Sequence, residues 1–312
     1  MKILIGYDGS DSSDTALEDL RRAGLPRVAE ALVATVGCVL FAPVPSRYEV
    51  ATHVFAGRRM EDVPTITSVR ATEALRVAKE LASRAVTRVR SYFPEWQVRA
   101  EAMAGRPSWA LARRAEDWGA DLIVVGSQGR SPLGRLLLGS VSKTVATEAG
   151  RSVRIARRGA ENGDDAPPRV IVGIDGSSES ERAVRAVGER VWPGGTEVRL
   201  VAVDDGTSPT RIARVLPTAA AMITGRSEEA AVRARTMVEW AEGELRAIGL
   251  DASVAILDGD PRRVLVDEAR KWGADSIFVG PRRFTSAFER LRLGSVSTAV
   301  ATNAHCSVEV VR

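Results

Sequence analysis

Gly126, Gly129 and Gly139 punctuate the segment GSQGRSPLGRLLLGSVS, which ends on Ser140, Val141 and Ser142. These residue types at this spacing can bind an anion. Glycine lets the main chain approach a ligand without a Cβ clash and supplies turns with positive φ. A helix beginning near Gly139 would present unpaired N–H groups and the positive end of its dipole. The Ser140 and Ser142 hydroxyls add donors, and Arg130 and Arg135 add positive charge. Charge-assisted hydrogen bonds contribute about 1.5–3 kcal/mol each. Four or five of them reach micromolar affinity, near about −8 kcal/mol, once binding costs are met. Spacing alone leaves a second reading open, in which the glycines are loop punctuation and the serines are helix caps. Two better-known phosphate motifs do not fit. Gly134–Ser140 lacks the lysine of a P-loop, and GYDGS stands where a dinucleotide fingerprint G-x-G-x-x-G would follow the first strand.

The elements around this loop alternate. Lys2–Gly6 reads as a short buried strand, followed by an Asp8-Gly9-Ser10 turn and a helix to about Ala23 that Ser10, Asp11 or Ser13 can cap. Glu30–Leu40 reads as a second strand, Thr67–Tyr92 as a helix and Gln97–Met103 as a third strand. Pro107 opens a helix that Gly119 stops, and Leu122–Val125 is a fourth strand. Leu138–Ala149 reads as a helix and Val153–Arg157 as a last strand. Apolar strands alternating with helices imply a parallel sheet covered on both faces. Ligands of such sheets sit beyond the carboxyl ends of the strands. That places the loops after strands one, two and four around one cleft.

The chain is written twice. KILIGYDGS returns as RVIVGIDGS, EDWGADLIVVG as RKWGADSIFVG, and LLLGSVSKTVATEAGRSVRIAR as LRLGSVSTAVATNAHCSVEVVR, in the same order. Such ordered matches mark a duplication. The first half is longer between its first two blocks, and the Pro-containing stretch Phe41–Pro64 is the expected insertion. Gly159–Pro168, GAENGDDAPP, reads as a linker. The expected domains are therefore 1–158 and 169–312, each a doubly wound α/β/α sandwich on a five-stranded parallel sheet.

Composition narrows the function classes. With 312 residues, 45% hydrophobic and 27% charged, the chain is an ordinary globular protein. Two cysteines and two histidines leave no disulfide scaffold or His/Cys metal cluster to build. Cys38 and Cys306 read as small buried apolar residues, and His305 as a satisfied polar residue rather than a catalyst. No apolar run approaches a membrane span, and the N-terminus lacks the pattern of a signal peptide, which points to the cytoplasm. A net charge of +4 and 5% aromatics give no support to nucleic acid as a partner.

Gly126-x2-Gly129, nine residues, then Gly139-Ser140 resembles the G-x2-G-x9-G-[ST] signature of universal stress proteins of the ATP-binding kind. The resemblance extends over nearly all of both halves. It implies an adenine nucleotide alpha hydrolase-like fold in each and a stress-response role. It implies ATP, or ADP or AMP, as ligand, with Mg accompanying the nucleotide rather than held by the protein alone. Residue by residue, Asp8 resembles the acidic contact on the adenine-ribose side, with Gly6 in the same turn. Val36 resembles the adenine contact, and Val125 and Gly126 flank base and ribose. Gly129, Gly139, Ser140, Val141 and Ser142 resemble the phosphate cradle, with Arg130 beside it.

The second half keeps Asp175, Val203, Gly280, Gly294, Ser295, Val296 and Ser297. Its loop departs from the signature: Pro281 follows the first glycine, Arg283 replaces the second, and Arg282, Arg290 and Arg292 make it basic. This half is expected either to grip phosphates through arginine forks or to be a degenerate partner. Each half ends in a strand, and an edge strand seeks a partner. The two halves are therefore expected to pair through Val153, Ile155, Val308 and Val310 as a pseudo-dimer, with neighbouring helices free to mediate a further homodimer. Ser127–Ser142 holds no Asp, Glu or His, so binding is favoured over catalysis. The alternatives are a slow ATP hydrolase or phosphotransfer enzyme, and an interaction scaffold without nucleotide.

Overall fold

The computed structural model describes residues 1–37, 62–128, 138–158, 166–204, 232, 235–281 and 293–312, with the backbone alone for 62–71. The first half runs β1 (Lys2–Gly6), α1 (Asp11–Asp19), β2 (Glu30–Gly37), α2 (Asp62–Tyr92), β3 (Gln97–Ala104), α3 (Pro107–Trp118), β4 (Leu122–Gly126), α4 (Ser140–Glu148) and β5 (Ser152–Ala156). The second repeats it as β6 (Arg169–Ile174), α5 (Ser178–Gly188), β7 (Glu197–Asp204), a helix α6 over 235–247, β8 (Asp251–Asp258), α7 (Pro261–Trp272), β9 (Ser276–Val279), α8 (Ser295–Asn303) and β10 (Ser307–Val310). Continuous aliphatic runs such as LIVVG and SIFV form strands buried along their whole length. Ser10 caps α1 by accepting from the Ser13 amide, and Gly119 ends α3 in the left-handed region at φ 70°.

Boundaries shift locally. Instead of running to Ala23, α1 stops at Asp19 and tightens into a 3-10 turn over Leu20–Arg22. The helix expected from Thr67 begins at Asp62, and the one expected from Leu138 begins at Ser140. The Cys38–Leu40 end of the second expected strand, residues 41–61 of the expected insertion and residues 159–165 of the expected linker lie outside the described residues.

The strands form one ten-stranded sheet in the order β3-β2-β1-β4-β5-β10-β9-β6-β7-β8. Within each half every pairing is parallel. The halves join where β5 meets β10 antiparallel, with Ile155 opposite Val308, Arg154 opposite Glu309 and Val153 opposite Val310. The terminal strands thus satisfy one another's edges, as the edge argument expects. Period-two alternation sends the four aliphatic side chains to one face. There a single apolar core runs through both halves, from Leu4 and Ile123 to Ile277 and Cys306. Burial pushes the Cys306 thiol up to about 12, so it behaves as an apolar residue. Trp118 and Trp272 pack against this core. His305 differs from expectation: its Nδ1 is buried without a partner among the described residues, and burial lowers its pKa.

On the other face each half keeps a separate core, one between the sheet and α1 and α2, the other between the sheet and α5 and α6. Arg154 and Glu309 point between them. Arg154 is wholly buried, donates from Nε and Nη2 to Asp19 at 2.6 and 2.9 Å, and lies 3.4 Å from Glu309. Arg190 closes on the other oxygen of Glu309. Burial alone would lower the Arg154 pKa, but Asp19 and Glu309 outweigh it and raise it. The arrangement also selects the partner. In the same register, β5 against a copy of itself would oppose Arg154 to Arg154, and β10 would oppose Glu309 to Glu309. The mixed pair instead sets opposite charges face to face, where like charges would be destabilising.

Two further arginines cross the junction in matching fashion. Arg157 donates to the Ala301 carbonyl of α8 at 2.5 Å, and Arg312 to the Ala146 carbonyl of α4 at 2.6 Å. Each places a cation near the negative end of the other half's last helix. Burial pulls both guanidinium pKa values down to about 10. Among the described residues, no helix is long and apolar enough to cross a membrane.

Removing one member of a buried ionic group leaves its partners uncompensated, which costs about 3–5 kcal/mol. Arg154→Ala is expected to lower unfolding stability by that amount in urea titrations. A loss under about 1 kcal/mol would show that the junction does not depend on this group.

Candidate functional site

The carboxyl end of the sheet opens a cleft in each half. In the first, β1 delivers Gly6, Tyr7 and Asp8, β2 delivers Thr35 and Val36, and β4 delivers Val125 and Gly126. Gly139, Ser140, Val141 and Ser142 at the start of α4 face them across about 580 Å³. Leu111 of α3 and Ala74, Val77 and Leu81 of α2 add apolar walls. The volume and the mix of apolar walls with a few polar groups suit a small-molecule ligand. The structure thus gathers Gly6, Asp8, Val36, Val125, Gly126, Gly139, Ser140, Val141 and Ser142. Gly129, Arg130 and Arg135 lie outside the described residues.

Local geometry explains how the parts hold together. Asp8 Oδ1 accepts from the Ser10 amide at 3.0 Å and the Ser10 hydroxyl at 2.6 Å, closing an Asx turn. The turn reading and the cleft-lining reading of Asp8 are therefore both realised. Gly126 sits where β4 meets α1, and a Cβ there would lie 2.5 Å from the Ser12 carbonyl oxygen. Ser12 Oγ accepts from the Gln128 amide at 3.0 Å, turning the chain out of the strand. Ser142 Oγ donates to the Gly126 carbonyl at 2.5 Å, fixing the start of α4 against the end of β4.

Three expectations about the cradle are corrected. Gly139 has φ −60°, and Gly126 is not among the positive-φ glycines, so neither supplies a left-handed turn. Gly126 is needed for close approach to α1, and Gly139 for its tight fit beside Gln128, whose Cα would lie 3.2 Å from an added Cβ. The Ser142 hydroxyl proton is committed to Gly126, so that side chain braces the cradle instead of donating into it. The Gly139 amide likewise donates to the Ser127 carbonyl at 2.7 Å. The main-chain N–H groups at Ser140, Val141 and Ser142 are left at the helix start, where Gly139 offers no side-chain cap.

Sequence reasoning missed Tyr7, Ser12 and Thr35. Tyr7 Oη donates to Asp14 at 2.8 Å, and burial with this carboxylate raises its pKa to about 12. Thr35 is buried on the cleft wall, and its hydroxyl has no partner among the described residues. An unpaired buried hydroxyl is costly unless something else pairs with it. A lone threonine in an aliphatic strand gives no such signal in sequence.

The second cleft, about 900 Å³, gathers Asp175, Val203, Gly280, Gly294, Ser295, Val296 and Ser297. Asp175 repeats the Asx turn on Ser177, and Ser297 Oγ repeats the brace by donating to the Gly280 carbonyl at 2.7 Å. Arg282, Arg283, Arg290 and Arg292 lie outside the described residues. Among the described residues no three His, Cys, Asp or Glu side chains gather as a metal-binding group.

The family model described as the universal stress protein family matches residues 1–157 and again 168–312. A universal stress protein of Mycolicibacterium smegmatis is 28% identical over 312 residues, covering 99% of this chain and 96% of its own. One from Mycobacterium tuberculosis strain H37Rv is 31% identical over 200 residues, 62% of each chain. The crystal structure of a universal stress protein from Archaeoglobus fulgidus covers 100% of this chain and 98% of its own, with a TM-score of 0.64 at 21% identity.

Overpacking a tight junction costs about 1–3 kcal/mol. Gly126→Ala is expected to lose that much in thermal or urea unfolding. Gly194→Ala, where an added Cβ meets nothing within 4 Å, should change stability by a few tenths at most. Equal effects at the two positions would contradict the close-approach account.

Proposed function

This chain belongs to the universal stress protein family, and from that premise we propose that its N-terminal half binds ATP or a related adenine nucleotide. The observation that carries the reading is the meeting, in one cleft, of the uncapped N-terminus of α4 with an apolar slot and the Asp8 turn. The amides at Ser140, Val141 and Ser142 would receive phosphate oxygens at the positive end of the helix. Val36, Val125 and Leu111 offer apolar contact to a base, and the unpaired Thr35 hydroxyl offers it a polar contact. Asp8 stands on the sugar side. Gly129 and Arg130 complete the cradle on the family signature. A magnesium ion would arrive with the nucleotide, since the described walls offer no dedicated set of ligands.

The chemistry available favours holding over turning over. Of the carboxylates on this wall, Asp8 is engaged by Ser10 and Glu73 by Arg76 at 2.6 Å. Neither is set up to activate a water at the phosphate end. The chain is therefore read as a cytoplasmic nucleotide-responsive regulator in stress response, built of domains 1–158 and 169–312 joined by 159–168.

Ser140 is exposed at the first turn of α4, where a carboxylate is favourable for the helix but repels a phosphate. Ser140→Asp should keep or slightly raise stability. In calorimetric titrations it should weaken ATP binding at the first cleft at least tenfold while leaving adenosine affinity within twofold. If wild-type protein stripped of ligand gives no heat with ATP, ADP or AMP, the nucleotide reading fails.

A further inference from the structure

Strand order sets the span of the first cleft. The start of α4 is braced to the end of β4, and β1 with its Asp8 turn separates β4 from β2. Neighbouring strands lie about 4.8 Å apart, so the ends of β4 and β2 stand about 10 Å from one another. At the β2 end, α2 packs over β2 and β3 and lines the cleft with Ala74, Val77, Ala78 and Leu81. Those four positions follow the spacing of a single helix face. Polar side chains at this end are turned to the protein. Tyr7 donates to Asp14, Ser13 to the Ser10 carbonyl, and Glu73 pairs with Arg76. The far end of the cleft is thus an apolar wall, opposite the α4 amides.

Gly37, at the end of β2, admits this wall. A Cβ there would lie 3.0 Å from the Ala74 carbonyl oxygen, 3.1 Å from its carbonyl carbon and 3.2 Å from its Cβ. Two of these are main-chain atoms of a helix, which cannot rotate aside as a side chain can. The strand itself does not require glycine, since Gly37 is not among the positive-φ glycines. The other half supplies the control. Its equivalent strand end carries Asp204, opposite Asp258 as Gly37 is opposite Ala104. Each carbonyl accepts from the glycine after the neighbouring strand: Gly37 from Gly105 at 3.2 Å, and Asp204 from Gly259 at 2.8 Å. The same backbone therefore accommodates a side chain, and in the first half it is the approach of α2 that excludes one.

We infer that the α2 face from Ala74 to Leu81 is the surface against which the base of the nucleotide packs, with Gly37 as the positioning residue that holds it at contact distance. The inference deepens the nucleotide reading of the first cleft and rests on it. Phosphates at the α4 amides, sugar at the Asp8 turn and base at the α2 wall then follow along the cleft in the order in which the ligand joins them. Contact distance matters because dispersion falls steeply: a gap of about 0.5–1 Å forfeits about a quarter to a half of the attraction.

The test is amide NMR of the isotopically labelled full-length chain, stripped of ligand, titrated with adenosine and with inorganic tripolyphosphate. The proteins are wild type, Gly37→Ala, which displaces the helix at Ala74, and Val77→Asn, which places a neutral amide in the wall. Val77 is 40% exposed, so its replacement leaves the core intact. In wild type, adenosine should shift the Val77 and Leu81 amides saturably. Both variants should weaken adenosine about fivefold or more, while tripolyphosphate affinity read at Ser140 and Val141 stays within about twofold. A wall that served only stability would leave adenosine affinity unchanged in folded Val77→Asn, and that variant decides the matter if Gly37→Ala fails to fold. An adenosine affinity unchanged in either folded variant would overturn the inference. So would an equal loss of tripolyphosphate, or a wild type that takes ATP at Ser140 without any response of Val77 and Leu81 to adenosine. Each of these leaves the nucleotide reading standing. No response of any first-cleft amide to ATP defeats that reading instead, and the inference with it.

Discussion

The close approach of β4 to α1 at Gly126 is the constraint on which the first cleft depends. No side chain fits there, because the Ser12 carbonyl occupies the space of a Cβ. The Gly126 carbonyl receives the Ser142 hydroxyl, so one glycine ties the strand end to two helix starts. With those three pieces fixed, the chain leaving β4 turns out along Ser12, and the amides of α4 face the Asp8 turn across the cleft. The arrangement recurs at Gly280 with Ser297 and Glu179 in the corresponding places. An anion on the proposed reading would therefore meet donors whose positions are set by packing, with little ordering left to do on binding.

The junction between halves works by a different physics. Aliphatic side chains on one face of β5 and β10 merge two cores into one, which supplies nondirectional stability. On the opposite face Asp19, Arg154, Glu309 and Arg190 form a buried ionic group in which the mixed pairing sets Arg154 opposite Glu309. Such a group adds little net stability over apolar replacements, but like charges set directly opposite one another would disfavour the wrong pairing. The crossing arginines Arg157 and Arg312 tie each half's last strand to the other half's last helix. Since those helices begin at the two clefts, the junction and both sites share α4 and α8.

Much of this was legible in the sequence. Aliphatic runs between helical periods specify strands buried on both faces, and the internal repeat fixes the number of units. Val153, Ile155, Val308 and Val310 announce a paired edge because an unpaired one would be a liability. What stayed hidden depends on register and long-range packing. Nothing local marks Arg154 and Glu309 as opposite neighbours, since their pairing follows from how β5 meets β10. The reason for Gly126 was also hidden, because the residue that excludes a side chain there, Ser12, is distant in sequence. For the same reason Ser142 was read as a donor to ligand, whereas its proton goes to a carbonyl on another element. The role of Thr35 emerges only from its place on the cleft wall, where its buried hydroxyl has no partner among the described residues.

The central claim is that main-chain amides at the start of α4 hold the phosphates of a nucleotide. Amide NMR of the isotopically labelled full-length chain during ATP addition tests it most directly. The account predicts saturable downfield shifts at the Ser140, Val141 and Ser142 amides. ATP binding that leaves those three amides unmoved would contradict it.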